Sequence, residues 1–517
     1  MIKAKKVLMF VRDYTDSGND KFFFWGDSTL SSVTIQQLVL EEAEIVCHDY
    51  WLIAPRIFAS ARRLPKTVTD LEELRIMSSG VKGDREKREK IDISSALQDF
   101  ADSEVIKSYI DIFQKKSPID EVILQTIGEA LFNLSVKTEL VAKDNNEWER
   151  YTTVERPVAD YLISSAAAGI AIDTTRLRIH KENIEFDYYM ALKQFSAKYD
   201  VPLELPSNDD IIRRLEPMGY DFLGVDVEYV LNFVPMNDNF AIDLLRLRKI
   251  AKSRSVLNAI PLSQKRIYPI VDCFGSITSR IYFKDPSLQN LAKHHRDILV
   301  PDEGRAFSYV DYEQYEAGIM AALSGDEKLL ELYADGDLYK QVANDIFEGE
   351  GRRKEAKRLF LSYAYGMKNR HLIDAAFGYG ADRRATKTFF KQFCKFEEWK
   401  ISVHDSFGTD QRIGTVLGNY LKRDRTGPLT DKEKRSAVSQ LVQGTASLIF
   451  KKSLMKLRDE AGAGLKVPMH DAVLFEHSLE FNPQVVSDLF SSTMTEHFSG
   501  KIIGKASLSP FSSKLNS

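Results

Sequence analysis

RAFSYVDYEQYEAGIMAALSGDEKLL, residues 305–330, changes its hydrophobic period partway along. The apolar run Ala306 to Val310 reads as a strand that delivers Asp311 at its end, and a helical spacing of apolar residues begins a few positions later. An acid that ends a strand is more often a turn or cap residue than a metal ligand, so Asp311 needs a partner. LKVPMHDAVLFE, residues 465–476, offers one: a second apolar strand with Val467, Val473, Leu474 and Phe475, interrupted by His470 and Asp471. A buried carboxylate is costly unless something neutralises it. Two strand-borne aspartates meeting across a sheet could hold two divalent cations for in-line phosphoryl transfer.

Between them lies GRRKEAKRLFLSYAYGM, residues 351–367, where Arg353, Lys357, Leu361 and Tyr365 recur every fourth position and so share one helix face. That face is either a solvated basic surface anchored by a tyrosine, or a seat for a triphosphate beside a flat ring on which a base stacks. Upstream, LLRLRKIAKSRSVLNAI gathers Arg246, Arg248, Lys249, Lys252 and Arg254 on an arm-like helical segment, again either an exposed amphipathic face or a phosphate-contacting one. In the first 50 residues KKVLMFV, KFFFWG and EIVCHDY read as short strands, predicting an antiparallel sheet that opens a small α/β domain. VKGDREKREK, residues 81–90, reads as a solvated loop inside that domain.

At roughly 150 residues per domain, 517 residues predict two to four domains. With 44% hydrophobic and 28% charged residues, the composition excludes a disordered chain. A net charge of −4 supplies no global positive field, so a polyanion must bind at a local basic patch. Cys47, Cys273 and Cys394 are too scattered for a disulfide framework or a CxxC metal site, which favours a reducing setting. No apolar run suits a signal peptide or a membrane span, so a soluble, cytoplasmic protein without membrane partners is expected.

Read in order, these strings resemble the polymerase region of family A DNA polymerases, the bacterial DNA polymerase I type in a phage-like short form, from about Glu155 onward. TSRIYFKDPSLQN looks like the motif before the first aspartate and carries Arg280, Gln289 and Asn290. DYEQYEAGIMA resembles motif A, with Asp311, Gln314 and Glu316. Arg353, Lys357, Tyr365 and Gly366 match the R-x3-K-x7-YG of motif B, MHD resembles motif C, and in RSAVSQLVQGTA Arg435 and Gln443 match template-side residues. The resemblance implies an α/β (α+β) multidomain chain with a right-hand polymerase fold behind a degenerate ribonuclease H-like 3′–5′ exonuclease-type domain. The implied segments are 1–145 for the exonuclease-like domain, 146–265 for connecting helices and thumb, 266–345 for the first palm segment, 346–424 for fingers and 425–517 for the second palm segment.

The activity implied is that of a DNA-directed DNA polymerase, a nucleotidyltransferase acting on primer-template DNA and dNTPs in replication or repair. Its cofactor would be two Mg²⁺ ions, with Mn²⁺ as a substitute, held by Asp311, Asp471 and the Tyr312 backbone carbonyl. Arg353 and Lys357 would hold the β- and γ-phosphates, with Lys357 also a proton donor to the leaving group. Leu361, Tyr365, Gln314 and Glu316 would complete the dNTP site, Glu316 excluding ribonucleotides. Arg280, Gln289, Asn290, Arg435, Gln443, His470, Lys252 and Arg254 would contact primer or template. A helicase, primase, clamp or single-strand-binding protein are the candidate replisome partners, and no motif identifies one.

Four positions depart from the family pattern. Leu361 stands where an aromatic residue is usual, Ala472 replaces the acid that commonly follows the HD pair, and Gly318 and Tyr339 sit where bacterial members favour Arg and His. VHDSFGTD, with His404 and Asp405, resembles the motif C of single-subunit RNA polymerases. Only 40 residues separate Tyr365 from Asp405, against 106 to Asp471, too few to complete the fingers, and a surface turn is expected there. His48 with Asp49 is not expected to bind metal, and His294 and His295 are expected at the surface or against backbone.

In the N-terminal domain the first strand leads to Arg12 and Asp13 without the Asp-x-Glu pair that a two-metal exonuclease of this type needs, and Ile53 takes a further aspartate position. Asp70 and Glu72 read as a helix start capped by Asp70, while Asp84 and Glu86 fall in the charged loop. Polymerisation without proofreading is expected; the alternative is a catalytically inactive nucleic-acid-binding scaffold with a polymerase fold.

Overall fold

The computed structural model describes residues 4–81, 93–220, 227–233, 238–347 and 349–513. The charged run after Val81, with Asp84 and Glu86, lies outside the described residues. Among those described, no helix is long and apolar enough to cross a membrane.

β1 (Lys5–Val11), β2 (Lys21–Gly26), β3 (Thr29–Val33), β4 (Glu44–Cys47) and β5 (Val68–Asp70) form one sheet in the order β3-β2-β1-β4-β5. β1 to β3 are antiparallel, but β4 runs parallel to β1, with Val7 opposite Val46, and β5 parallel to β4. The sheet is therefore mixed rather than antiparallel, because the helix Ile35–Leu40 carries the chain across before β4 begins. β1 and β2 are apolar on both sides because both sides are covered. Val7, Met9, Phe23 and Trp25 pack under the helices Ser103–Phe113 and Glu121–Asp144, and Leu8, Phe10, Phe22 and Phe24 pack against Tyr50–Ala61. Gly128 allows the long helix to lie on Trp25, since a Cβ there would come within 2.4 Å of the indole.

A π-helical turn, Tyr151–Glu155, leads into the helix Arg156–Ala168. The helices Thr174–Tyr199 and Asn239–Asn258 then form an arm around Leu192, Phe195, Phe240, Leu244 and Leu247. At its base β6 (Ile170–Ala171) pairs with β7 (Arg266–Ile267), followed by the hairpin of β8 (Ile270–Asp272) and β9 (Tyr282–Lys284).

The central sheet combines β10 (Arg305–Tyr312) with strands from the far end of the chain. After the small hairpin of β11 (Arg412–Thr415) and β12 (Gly418–Lys422) come β13 (Ala463–Pro468), β14 (Ala472–Ser478) and β15 (Ala506–Leu508), in the order β13-β14-β10-β15. The helices Asp431–Arg458 and Gln484–His497 pack on this sheet, and the Tyr312 hydroxyl ties β10 to them through Ser453 Oγ at 2.7 Å and the Phe490 carbonyl at 2.9 Å. Between β10 and β11 the chain forms a helical lobe that includes Leu338–Phe347, Arg353–Ala364 and Cys394–Asp410. The break expected at 345/346 falls inside Leu338–Phe347, whose buried stripe of Leu338, Val342 and Ile346 runs through it. VHDSFGTD is not a surface turn but the end of Cys394–Asp410, where Phe396, Val403 and Phe407 bury at helical spacing and leave Asp405 exposed.

Candidate active site

Asp311 is placed by β10, in register with Ala472 of β14. Asp471 is not borne by a buried strand. It lies exposed in the tight turn joining β13 and β14, where the Met469 N–H donates to the Ala472 carbonyl at 2.7 Å. The apolar run hides this turn because Pro468 and Met469 are themselves buried. The Tyr312 N–H donates to the Asp471 carbonyl at 3.0 Å, which seats the two acids beside each other. Burial pushes the Asp311 carboxyl up to about 7, and the negative charge of Asp471 adds to the push while Lys357 opposes it. Ala472 is fully buried directly across from Asp311, so an acid at that position would put a third carboxylate on the same face. Among the described residues no group of three or more His, Cys, Asp or Glu is arranged to hold a metal ion. Two carboxylates nevertheless fit Mg²⁺, which takes one or two protein acids and completes its shell with substrate phosphates and water.

The helix Arg353–Ala364 presents Arg353, Lys357 and Leu361 along one side, with Tyr365 at its C-cap and Gly366, at φ 92°, ending it. Arg353 Nε donates to Asp337 at 2.6 Å, and Arg353 and Lys357 each stand 5.5 Å from the Tyr339 ring. Tyr339 thus offers both cations an aromatic face. The Tyr365 hydroxyl donates to Glu316 Oε2 at 2.7 Å, and Arg280 Nη2 donates to Oε1 at 3.2 Å. Burial and the Glu316 charge hold the Tyr365 phenol well above its ordinary pKa, while the Gln443 side chain bonds to it in opposition. Arg435 lies with its aliphatic stem against Gly366.

Several expected contact residues are already engaged within the protein. The Gln289 amide accepts from the Phe283 N–H at 3.0 Å and donates to the carbonyls of Ile281 at 2.9 Å and Pro468 at 2.7 Å, bracing the hairpin that carries Asp471. Gln314 donates to the Gly336 carbonyl at 2.7 Å and accepts from the Leu338 N–H at 2.8 Å, fixing the turn that aims Asp337 at Arg353. Asn290 is exposed and donates to Ser287 Oγ at 2.7 Å. On the arm, Arg254 pairs with Glu185 at 2.8 Å and stacks 4.6 Å from the Tyr188 ring, whereas Lys252 is exposed. His470 is pushed below its ordinary pKa by burial, then by the nearby Arg280 and Lys252 charges, against the pull of Asp471. His294 is exposed, but His295 is buried rather than at the surface, with its Nδ1 3.1 Å from that of His180.

Two residues near the site carry no motif. Asp337 reads only as a turn residue, and Arg296, whose charge reaches Asp311, is held between the rings of Tyr309 at 5.8 Å and Phe511 at 5.1 Å. Gly318 has a packing reason: a Cβ there would meet the Tyr333 ring at 2.7 Å and Met494 Cε at 2.9 Å, leaving no room for an arginine.

In the N-terminal domain the acids face cations and backbone. Asp13 is ion-paired to Lys115 and accepts from the Thr15 hydroxyl at 2.7 Å, the Thr15 N–H at 2.8 Å and the Asp16 N–H at 2.9 Å, which holds its carboxyl well below the usual range. Arg56 donates to Asp20 at 2.6 Å and to the Asp13 carbonyl at 2.8 Å. Ile53 is fully buried, and Asp70 caps Leu71–Ser79 by accepting from the Glu72 and Glu73 N–H groups. His48 is buried between Asp49, at 3.0 Å, and the Tyr109 hydroxyl.

The family description for DNA polymerase family A matches residues 225–506, more than half of the chain. Thermostable DNA polymerase I of Thermus thermophilus is 24% identical over 392 residues, 68% of this chain and 46% of that protein. DNA polymerase I of Helicobacter pylori is 23% identical over 527 residues, 94% of this chain and 57% of the relative. The chain therefore spans about half the length of these relatives. Its fold is similar to that of the POL domain of Pol1 from M. smegmatis, solved in complex with DNA primer-template and dNTP, at a TM-score of 0.73 and 19% identity over 94% of this chain and 91% of that one. With the acid pair, the basic helix face and the Glu316–Tyr365 contact in the order the family motifs require, this chain belongs to the family A DNA polymerases.

Proposed function

We propose that this chain is a template-directed DNA polymerase that adds dNTPs to a primer 3′-hydroxyl by two-metal-ion phosphoryl transfer. The observation that carries the reading is the seating of Asp311 and Asp471 side by side through the Tyr312–Asp471 backbone bond, within reach of the Lys357 charge. Asp311, Asp471 and the Tyr312 carbonyl would hold two Mg²⁺ ions, or Mn²⁺ in their place. When bound, these ions supply activation of the primer hydroxyl and neutralisation of the departing pyrophosphate. Arg353, kept in place by Asp337, and Lys357 bind the β- and γ-phosphates, and Lys357 gives a proton to the leaving group. Leu361 borders the incoming sugar, Tyr365 packs beside the template position, and Glu316 occupies the space a 2′-hydroxyl would need. Arg280, His470, Asn290, Arg435, Gln443 and Lys252 face primer and template, while Gln289, Gln314 and Arg254 act by holding the frame.

In this reading the arm before residue 266 is the thumb, the central sheet the palm, and the helical lobe up to about residue 424 the fingers. The N-terminal unit is an exonuclease-like domain without proofreading. Support comes from Asp13 and Asp20, the acids that follow β1, which are ion-paired to Lys115 and Arg56.

Extension of a primer on a recessed DNA template with Mg²⁺ and dNTPs tests the reading. The wild type extends, whereas Asp311→Ala and Asp471→Ala bind the duplex and fail to extend it. Wild-type binding without extension would favour the inactive scaffold instead.

A further inference from the structure

Behind Glu316 lies a set of buried charges that the reaction does not use. Glu147, Arg150, Glu155, Ser279 and Lys451 are each no more than 2% exposed. Lys451 is salt-bridged to Glu155 and donates to Ser279 Oγ at 2.8 Å and to the Cys273 carbonyl at 3.0 Å. Arg150 pairs with Glu155 at 2.6 Å and Glu147 at 3.0 Å. The Ser279 hydroxyl donates to Glu155 at 3.0 Å, and the Ser279 carbonyl accepts from Ser447. Gln440, on the same face of the Asp431–Arg458 helix as Ser447 and Lys451, donates to the Ile277 carbonyl at 3.2 Å.

The bonds of Lys451, Glu155, Ser447 and Gln440 converge on the loop that ends in Arg280. Ser279 has φ 62°, a conformation that a residue with a side chain adopts rarely and only when its surroundings enforce it. The next residue is Arg280, whose guanidinium reaches Glu316. Buried ion pairs add little net stability, because desolvation offsets their attraction, so stability alone does not account for this set.

We propose that the Glu155–Lys451 pair, acting through Ser279, is a positioning device that aims Arg280 at Glu316 and at the primer terminus. The proposal rests on the polymerase reading above, in which Arg280 faces the terminal pair. Glu155 comes from the segment joining the N-terminal domain to the arm, and Lys451 from the helix that also carries Gln443. The device therefore couples that junction to the reacting end of the primer.

Two variants test it. Ser279→Gly keeps the left-handed conformation accessible and removes the hydroxymethyl group that Lys451 and Glu155 hold. The double variant Glu155→Gln with Lys451→Met removes both charges together, so neither is left unpaired. In crystal structures of both variants Arg280 is expected to leave Glu316, opening the 3.2 Å contact beyond hydrogen-bonding reach. In single-nucleotide extension both are expected to lose kcat on a matched primer by up to about 10²-fold, with the KM for dNTP and the Kd for primer-template unchanged. Arg280 still on Glu316 in the Ser279→Gly structure overturns the proposal, as does an unchanged kcat. A wild type that fails to extend refutes the polymerase reading, while the crystal structures still decide the positioning role.

Discussion

Glu316→Ala probes the proposed sugar gate, and the two bonds that hold the carboxylate set the size of the expected effect. Both carboxylate oxygens are held, one by the Tyr365 hydroxyl at 2.7 Å and the other by Arg280 at 3.2 Å. For an incoming ribonucleotide to displace this side chain, both charge-assisted bonds must break, at about 1.5–3 kcal/mol each. The wall therefore resists by about 3–6 kcal/mol, which at about 1.4 kcal/mol per tenfold corresponds to roughly 10²- to 10⁴-fold discrimination. Removing the carboxylate should lower the ratio of kcat/KM for dCTP over CTP by that factor. The variant also deprives Arg280 and Tyr365 of their acceptor and so slows dCTP incorporation, but this loss enters both members of the ratio and cancels. The assay is single-nucleotide incorporation opposite a template guanine, with both substrates varied in separate series. A ratio that changes less than about tenfold would refute the argument, because a carboxylate pinned at both ends would then not be what the 2′-hydroxyl meets.

Other consequences can be checked more briefly. Lys252→Ala should reduce the salt slope of primer-template binding by about one, whereas Arg254→Ala should lower the thermal stability of the arm, because Arg254 is spent on Glu185 and Tyr188. Gly318→Ala should cost about 1–3 kcal/mol by overpacking, read as a lower urea midpoint, since its methyl group would enter the Tyr333 ring. At the start of the Asp431–Arg458 helix burial raises the Glu433 carboxyl, but the Thr430 N–H and hydroxyl and the Arg423 guanidinium outweigh it and hold the group at about 2. A depressed carboxyl stabilises above its unfolded pKa, so Glu433→Ala should lose about 1 kcal/mol at neutral pH. That difference should shrink as the pH falls from 4.5 toward 2, and urea titrations at several pH values would show it.

The layout of the candidate site was legible in the sequence wherever chemistry and period coincide. Asp311 could be placed at a strand end and Arg353, Lys357 and Leu361 on one helix face because those assignments need only local spacing. The hairpin turn at Asp471 was hidden by the buried residues on either side of it, and the parallel direction of β4 by a short crossover helix. Gln289 and Gln314 match motif positions, yet their amides are consumed by backbone groups brought near only by folding. Least legible is the buried set around Lys451: Glu147, Arg150 and Glu155 lie in the polar string NNEWERYTTVER, which by composition reads as surface. Their burial depends on a helix nearly three hundred residues away, and no local pattern encodes that.

β10 stands in the middle of the central sheet, yet both of its neighbours, β14 and β15, come from the C-terminal end of the chain. On the ribosome it therefore emerges long before either partner, with two open edges and an apolar face. The whole helical lobe must be made and must begin to fold while this strand stays unpaired. A nascent chain stalled before Ala472 offers a sticky ribbon to chaperones or to other copies of itself, and it has no half-built catalytic centre to show for its length. Activity should thus arrive late and abruptly in synthesis, when β14 and then β15 close over Asp311.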